Sequence, residues 1–260
     1  MFKGYMAALA AVLLAFVSLP ILGVLSSLGS PDFLMVLFRP ELSSALALSL
    51  ETATASAAAC AATGIPLGYL ISRSKSKATE VARILVTIPL ALPPLIGGAL
   101  LLNVYGSASP IGSAARGLGL ALTQSPLGIV LAQVFVASPF VVLTSAAVFE
   151  RIDRNYEYAS RMLGRGRGET FLRVTLPMAK NGIAAGLVLA WVRALGEFGA
   201  TVMMAYNPKT VSIQLWEDNA IGGLNLALPG VLLVMVVSFV SLAFWMWISG
   251  TGRERTGWGV

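Results

Sequence analysis

Residues 127–149 read LGIVLAQVFVASPFVVLTSAAVF, and residues 150–180 read ERIDRNYEYASRMLGRGRGETFLRVTLPMAK. The first run has no charge and exceeds the roughly 20 apolar residues that a helix needs to cross a bilayer. The second packs 11 charged residues into 31 positions, in a chain with 18 basic and 12 acidic residues in all. An apolar run resumes at Asn181. This alternation reads as a membrane crossing, a charged loop in water, and a second crossing.

Composition extends that reading to the whole chain. Only 12% of the 260 residues are charged, 57% are hydrophobic, and mean hydropathy is +0.81. Soluble domains carry about twice that charge fraction, so this chain lacks the polar residues to cover a globule. The absence of histidine removes His-based acid–base chemistry and His metal sites. A single cysteine, Cys60, excludes a disulfide within the chain and cysteine-cluster metal sites. Cys60 lies among small residues and reads as one of them.

Six apolar runs qualify as spans: 9–28, 52–72 (extended upstream by 43–50, with Glu51 inside it), 84–102, 127–149, 181–204 and 226–249. The breaks between them carry turn residues or charge, among them Gly29-Ser30-Pro31-Asp32, the basic 73–77, 106–119 and Tyr206-Asn207-Pro208-Lys209. With six spans both termini share a side. If that side is the cytoplasm it holds 14 of the 18 basic residues, including Arg253 and Arg255, while Arg39, Arg116 and Lys209 fall outside. The positive-inside bias therefore predicts N-in, C-in. The first run is too long for a cleaved signal peptide and lacks a small-x-small cleavage site, so it is expected to stay as a span.

Small residues from Ala53 to Gly64, and the Gly182/Gly186 spacing, predict that spans two and five pack inside a bundle or at a subunit interface. Pro20, Pro66, Pro89, Pro93 and Pro94 free backbone carbonyls and bend helices. In the loop 150–180, Tyr158, Met162 and Leu163 recur on one face of a short helix. Phe171, Val174 and Leu176 follow the flexible Gly164-Arg165-Gly166-Arg167-Gly168. Two short amphipathic helices hinged at glycine are expected, lying along the membrane surface. They offer a face to a partner protein, or their arginines hold anionic lipid; the pattern leaves both readings open.

Glu157-Tyr158-Ala159-Ser160-Arg161-Met162-Leu163-Gly164, separated by twelve residues from Pro177 within Val174-Thr175-Leu176-Pro177, resembles the EAA loop of ABC importer permeases. Ala159, Gly164 and Pro177 keep their places; Tyr158 stands where the family has alanine. Further along, Arg193-Ala194-Leu195-Gly196-Glu197-Phe198-Gly199-Ala200-Thr201 resembles a stretch of molybdate, tungstate and sulfate permeases. Residues 63–69 and 88–98 fit the same group, and the likeness covers about 43–249. The resemblance implies an all-α integral membrane fold: six transmembrane helices per protomer in the type I ABC importer permease architecture. The whole chain, 1–260, is then a single permease domain with its core at 43–249 and a coupling loop at 150–180. It implies a homodimer in a prokaryotic plasma membrane, a cytoplasmic ABC ATPase dimer that holds the ATP and magnesium, and an external oxyanion-binding protein. This chain would bind no cofactor and no nucleic acid. Glu157, Tyr158, Ala159, Met162, Leu163, Gly164 and Pro177 would couple to the ATPase. Molybdate or tungstate is favoured over sulfate as cargo.

Arg193 lies about 12 residues into span five, with Glu197 one turn on. A charge at mid-membrane normally has a partner or lines a wet cavity. Two readings follow: an ion pair that locks the bundle, or a positive contribution to the path of a dianion. Glu51 is expected near the outer end of its span. Thr52, Ser56, Thr87, Asn103, Ser138, Thr144 and Thr201 are anion-holding groups in principle, and ordinary interhelical hydrogen-bonders by default. The chain has no G-x-x-x-x-G-K-[ST] nucleotide loop, so an ATP engine must come from elsewhere. A lone secondary transporter would be expected to show an intramembrane carboxylate chain or inverted repeats, and neither is evident. An intramembrane enzyme lacks any catalytic constellation here.

Overall fold

A computed structural model describes residues 2–26, Leu28 and 31–250, with backbone alone for Ser26, Pro31, Asp32 and 245–250. The expected break at Gly29-Ser30 and the cations Arg253 and Arg255 lie outside the described residues. Among those described, the chain is helical and contains no strand. The long helices are α1 (Phe2–Ser26), α3 (Pro40–Arg73), α7 (Pro126–Arg151), α10 (Leu176–Leu195) and α13 (Leu224–Gly250). Shorter ones are α2 (Pro31–Leu37), α4 (Lys77–Ala91), α5 (Pro94–Tyr105), α6 (Pro110–Gly117), α8 (Arg154–Met162), α9 (Arg167–Thr170), α11 (Gly199–Met204) and α12 (Val211–Gly222). Five segments are long and apolar enough to cross a membrane, or six if α4 and α5 count as one broken span.

The centre of the bundle is α3 against α7, with α10 packed on both. Helical spacing explains the seam. Ala45, Ser49, Thr52, Ala53, Ser56, Cys60, Gly64 and Gly68 recur every three or four residues and are buried along one stripe of α3. Small side chains let two backbones approach where lipid supplies no hydrophobic drive. The expectation for Gly182 and Gly186 is met inside the protomer: a Cβ on Gly186 would sit 2.0 Å from Thr144 Oγ1 of α7. Polar groups hold the same seam. Ser56 Oγ donates to Gln133 Oε1 (2.9 Å), and Gln133 Nε2 donates to Thr52 Oγ1 (3.3 Å), with Gln133 fully enclosed. Around this centre α1 stays almost wholly exposed, and its contacts are chiefly with α13.

Two expected spans are broken. The run 84–102 does not cross straight: α4 and α5 meet at 118°. Leu92 is extended (φ −93°, ψ 138°), the conformation favoured before a proline, and the Pro93-Pro94 pair cannot continue the ladder. The run 181–204 stops at Gly196, which ends α10, and α11 begins at Gly199. The loop 150–180 also differs from two separate surface helices. Only α8 stands apart, ended by Gly164 in the left-handed region (φ +86°). Beyond it, α9, a π-helical turn Phe171–Thr175 and α10 run on as one 29-residue segment. The π turn lies just before Pro177, whose ring excludes the normal bond to the Arg173 carbonyl; widening the turn lets the helix continue.

Candidate coupling helix and intramembrane charge site

Glu157 is charged in sequence and buried in the fold, 7% exposed. It projects from α8 into the space between the last turn of α3 and the π turn. Arg73 closes α3 and reaches its carboxylate with two nitrogens, Nη2 to Oε1 at 2.7 Å and Nε to Oε1 at 2.9 Å. Tyr69 Oη donates to Oε2, and Thr175 Oγ1 to Oε1, both at 3.2 Å. Arg73 also donates to the Phe149 and Ile152 carbonyls at the end of α7 (2.8 and 3.3 Å). The carboxylate thus ties α8 to the end of α3 and to the π turn, and Arg73 extends the tie to the end of α7. Tyr69, Phe149 and Phe171 pack their rings at 4.9–6.0 Å beneath it. On the same inward face of α8, Ser160 shares a hydrogen bond of 3.1 Å with Thr170.

With Glu157 and Ser160 turned inward, helical periodicity turns the remaining apolar side chains of α8 outward. Tyr158 is 51% exposed, Met162 88% and the following Leu163 83%. These are the residues that the sequence placed on a face for a partner, and the face is open.

Arg193 and Glu197 pair as their spacing predicts, Nη1 to Oε2 at 2.5 Å, although the helix between them ends. Arg193 sits in the last turn of α10, where a cation opposes the helix dipole. Glu197 precedes α11, and its Oε1 accepts the Ala200 N–H at 2.7 Å. Glu197 is 1% exposed, whereas the Arg193 side chain keeps 30% of its surface open. Both oxygens of Glu197 are therefore committed to holding the break, and Arg193 retains free donors.

The two broken spans meet. A Cβ on Gly98 of α5 would lie 2.7 Å from Ala200 Cα of α11. Gly98→Val is expected to separate α5 from α11 and to cost about 1–3 kcal/mol through overpacking. The midpoint of thermal unfolding in detergent measures this, with Gly4→Val, which meets nothing within 4 Å, as the control.

At the far end of α3 another set of charges gathers. Arg39 Nη2 pairs with the buried Asp218 of α12 at 2.8 Å, and Gln214 Nε2 donates to the other Asp218 oxygen at 2.9 Å. Lys209 bonds Glu217, and that bond raises the lysine pKa and lowers the carboxyl pKa. Residues 207–225 fold over this end, with α12 at their centre. At 1.5 Å per residue α3 is about 51 Å long, so Arg39 and Arg73 mark opposite ends of the bundle. Glu51 is exposed on α3. Of the neutral polar candidates, Thr87, Ser138 and Thr144 bond carbonyls of their own helices, and the Thr201 hydroxyl is buried without a partner.

Residues 64–249 match the family of binding-protein-dependent transport system inner membrane components. The chain belongs to this family. The permease is 43% identical over 239 residues to a probable molybdenum ABC transporter permease protein of Haloferax volcanii, covering 90% of this chain and 85% of that one. It is 32% identical over 191 residues to the molybdate/tungstate transport system permease protein WtpB of Pyrococcus furiosus, covering 74% and 72%. Its fold matches a crystal structure of a bacterial alginate ABC transporter in complex with an alginate pentasaccharide-bound periplasmic protein. That match has a TM-score of 0.70 at 17% identity and covers 100% and 96% of the two chains. The fold is that of type I ABC importer permeases, and the chain is a multi-pass membrane subunit of an ABC importer.

Sequence reading of the permease missed the partners of Glu157. Arg73 is 84 residues away and Tyr69 is 88. The one available signal was that Arg73 opens the basic stretch ending span two. Asp218 was likewise missed as the partner of Arg39.

Proposed function

We propose that this permease moves a tetrahedral oxyanion of the molybdate/tungstate type, by alternating access driven by a separate ATPase. The observation that carries the coupling is α8: an exposed apolar face on a helix whose buried carboxylate holds the end of α3 and the π turn of the α9–α10 segment, and, through Arg73, the end of α7. An ATPase that holds Tyr158, Met162 and Leu163 pulls on all three at once. Ala159 and Gly164 shape that face, and Pro177 sits where the pull enters α10. The whole chain acts as one permease domain, oriented N-in, C-in, with 150–180 as its cytoplasmic coupling loop. The separation of Arg39 and Lys209 from Arg73, Arg154 and Arg161 to opposite ends of α3 supports this orientation.

Two copies form the pore in a prokaryotic plasma membrane, each with one cytoplasmic ATPase, and an external binding protein delivers the anion. The chain hydrolyses no ATP and holds no cofactor; ATP and magnesium belong to the partner. Relatives named for molybdate and tungstate support the cargo, and the Arg193 guanidinium left open at the break supports a positive path. Uptake of labelled molybdate by the assembled complex, with tungstate, sulfate or phosphate as competitors, tests this. Tungstate is expected to compete fully and phosphate not at all; preferential competition by sulfate would reassign the cargo. Met162→Asp with Leu163→Asp is expected to abolish co-purification of the ATPase while leaving the melting temperature unchanged, because both side chains face outward.

A further inference from the structure

One open flank of α8 is basic and meets the apolar face at Tyr158. Arg154, Tyr158 and Arg161 follow one another at i, i+4 and i+7, and they border a cavity of about 560 Å³ that Arg167 and the last turn of α3 complete. Of the loop's carboxylates only Glu157 lines this cavity, where it is paired with Arg73; Asp153 caps α8, Glu150 pairs with Arg83, and Glu169 with Arg165 and Arg173. Among the described residues, Arg154, Arg161 and Arg167 have no carboxylate partner. Arg154 spends Nη2 on the carbonyls of Ser72 and Arg73, and Arg161 spends Nε on that of Glu157. Their other donors remain for a ligand. Three guanidinium groups around one cavity suit an anion with several acceptor oxygens.

The cavity also has an apolar wall. Tyr69 and Leu70 line it from the last turn of a membrane-crossing helix, and Leu70 is 56% exposed. An open leucine on a helix long enough to cross a bilayer offers a surface that an acyl chain can cover. We propose that this cavity binds the phosphodiester headgroup of an anionic phospholipid, with its acyl chains running along Leu70. The lipid would sit against the flank of α8, next to the face proposed for the ATPase. A free oxyanion shares the phosphate chemistry but has no use for the Leu70 wall.

The test is native mass spectrometry of the full chain in neutral maltoside micelles, titrated with dioleoyl phosphatidylglycerol or dioleoyl phosphatidylcholine. The first phosphatidylglycerol is expected to bind more tightly than phosphatidylcholine. Arg161→Gln with Arg167→Gln should weaken it by about fivefold per arginine removed. Arg165→Gln with Arg173→Gln removes the same charge outside the cavity and should leave it unchanged. Equal losses in the two double variants, or equal affinity for the two lipids, would overturn the proposal. So would displacement of phosphatidylglycerol by equimolar inorganic phosphate, which would assign the cavity to a free anion. Should the first double variant melt early, Arg167→Gln alone carries the test; its side chain makes no described hydrogen bond or ion pair, and the same fivefold loss is expected.

Discussion

Replacing Glu157 by alanine is expected to abolish ATP-driven uptake and to destabilise the permease by about 3–5 kcal/mol, because it strands a largely buried guanidinium. The carboxylate receives three hydrogen bonds and an ion pair from three side chains: Tyr69 and Arg73 on the last turn of α3, and Thr175 in the π turn. Arg73 would keep its two carbonyl acceptors on α7 but lose its countercharge. The conservative Glu157→Gln keeps an acceptor in place and should lose less. The pair Arg73→Met with Glu157→Leu separates stability from coupling. An apolar replacement of both partners typically recovers stability, yet nothing then fixes the angle of α8. The melting temperature is therefore expected to return and uptake to stay lost. Full uptake by that pair would show that the buried carboxylate does not transmit the ATPase's motion.

The second large effect is expected at Glu197. Alanine there removes the countercharge of Arg193 and the cap on the Ala200 N–H together. Loss of the cap costs about 0.5–2 kcal/mol. An unpaired arginine within a span adds about 2.5–3.5 kcal/mol on insertion scales. Glu197→Gln keeps an acceptor for Ala200 and should recover the capping share alone. Arg193→Met with Glu197→Gln leaves no buried charge unpaired and keeps an acceptor for Ala200, so it reports on the path. Uptake is expected to fall more than about tenfold, which is 1.4 kcal/mol, with ATPase binding unchanged. Unchanged uptake would make the pair purely structural.

These two sites show how unevenly the sequence reveals the fold. The face of α8 was legible because Tyr158, Met162 and Leu163 obey a local period and Gly164 stops it. The anchoring role of Glu157 was not, because it depends on Arg73 and Tyr69 from a distant segment, and period carries no information about such pairings. The ion pair of Arg193 and Glu197 was readable from spacing, but for an incomplete reason. An apolar window runs smoothly through 181–204 and conceals that Gly196 ends one helix. The same window conceals the 118° bend at Pro93-Pro94, although both prolines were visible as helix breakers. The second surface helix dissolved into α10 because a π turn accommodates Pro177, which the sequence presented as a boundary.

The central claim is that this chain moves its anion only when an ATPase works on α8. Uptake of labelled molybdate into proteoliposomes tests it most directly, with the permease and its ATPase in the bilayer, ATP enclosed, and the loaded binding protein outside. Uptake is expected to require enclosed ATP and to vanish in the Met162→Asp, Leu163→Asp variant. Uptake by the chain alone, driven by an ion gradient without ATP, would contradict it.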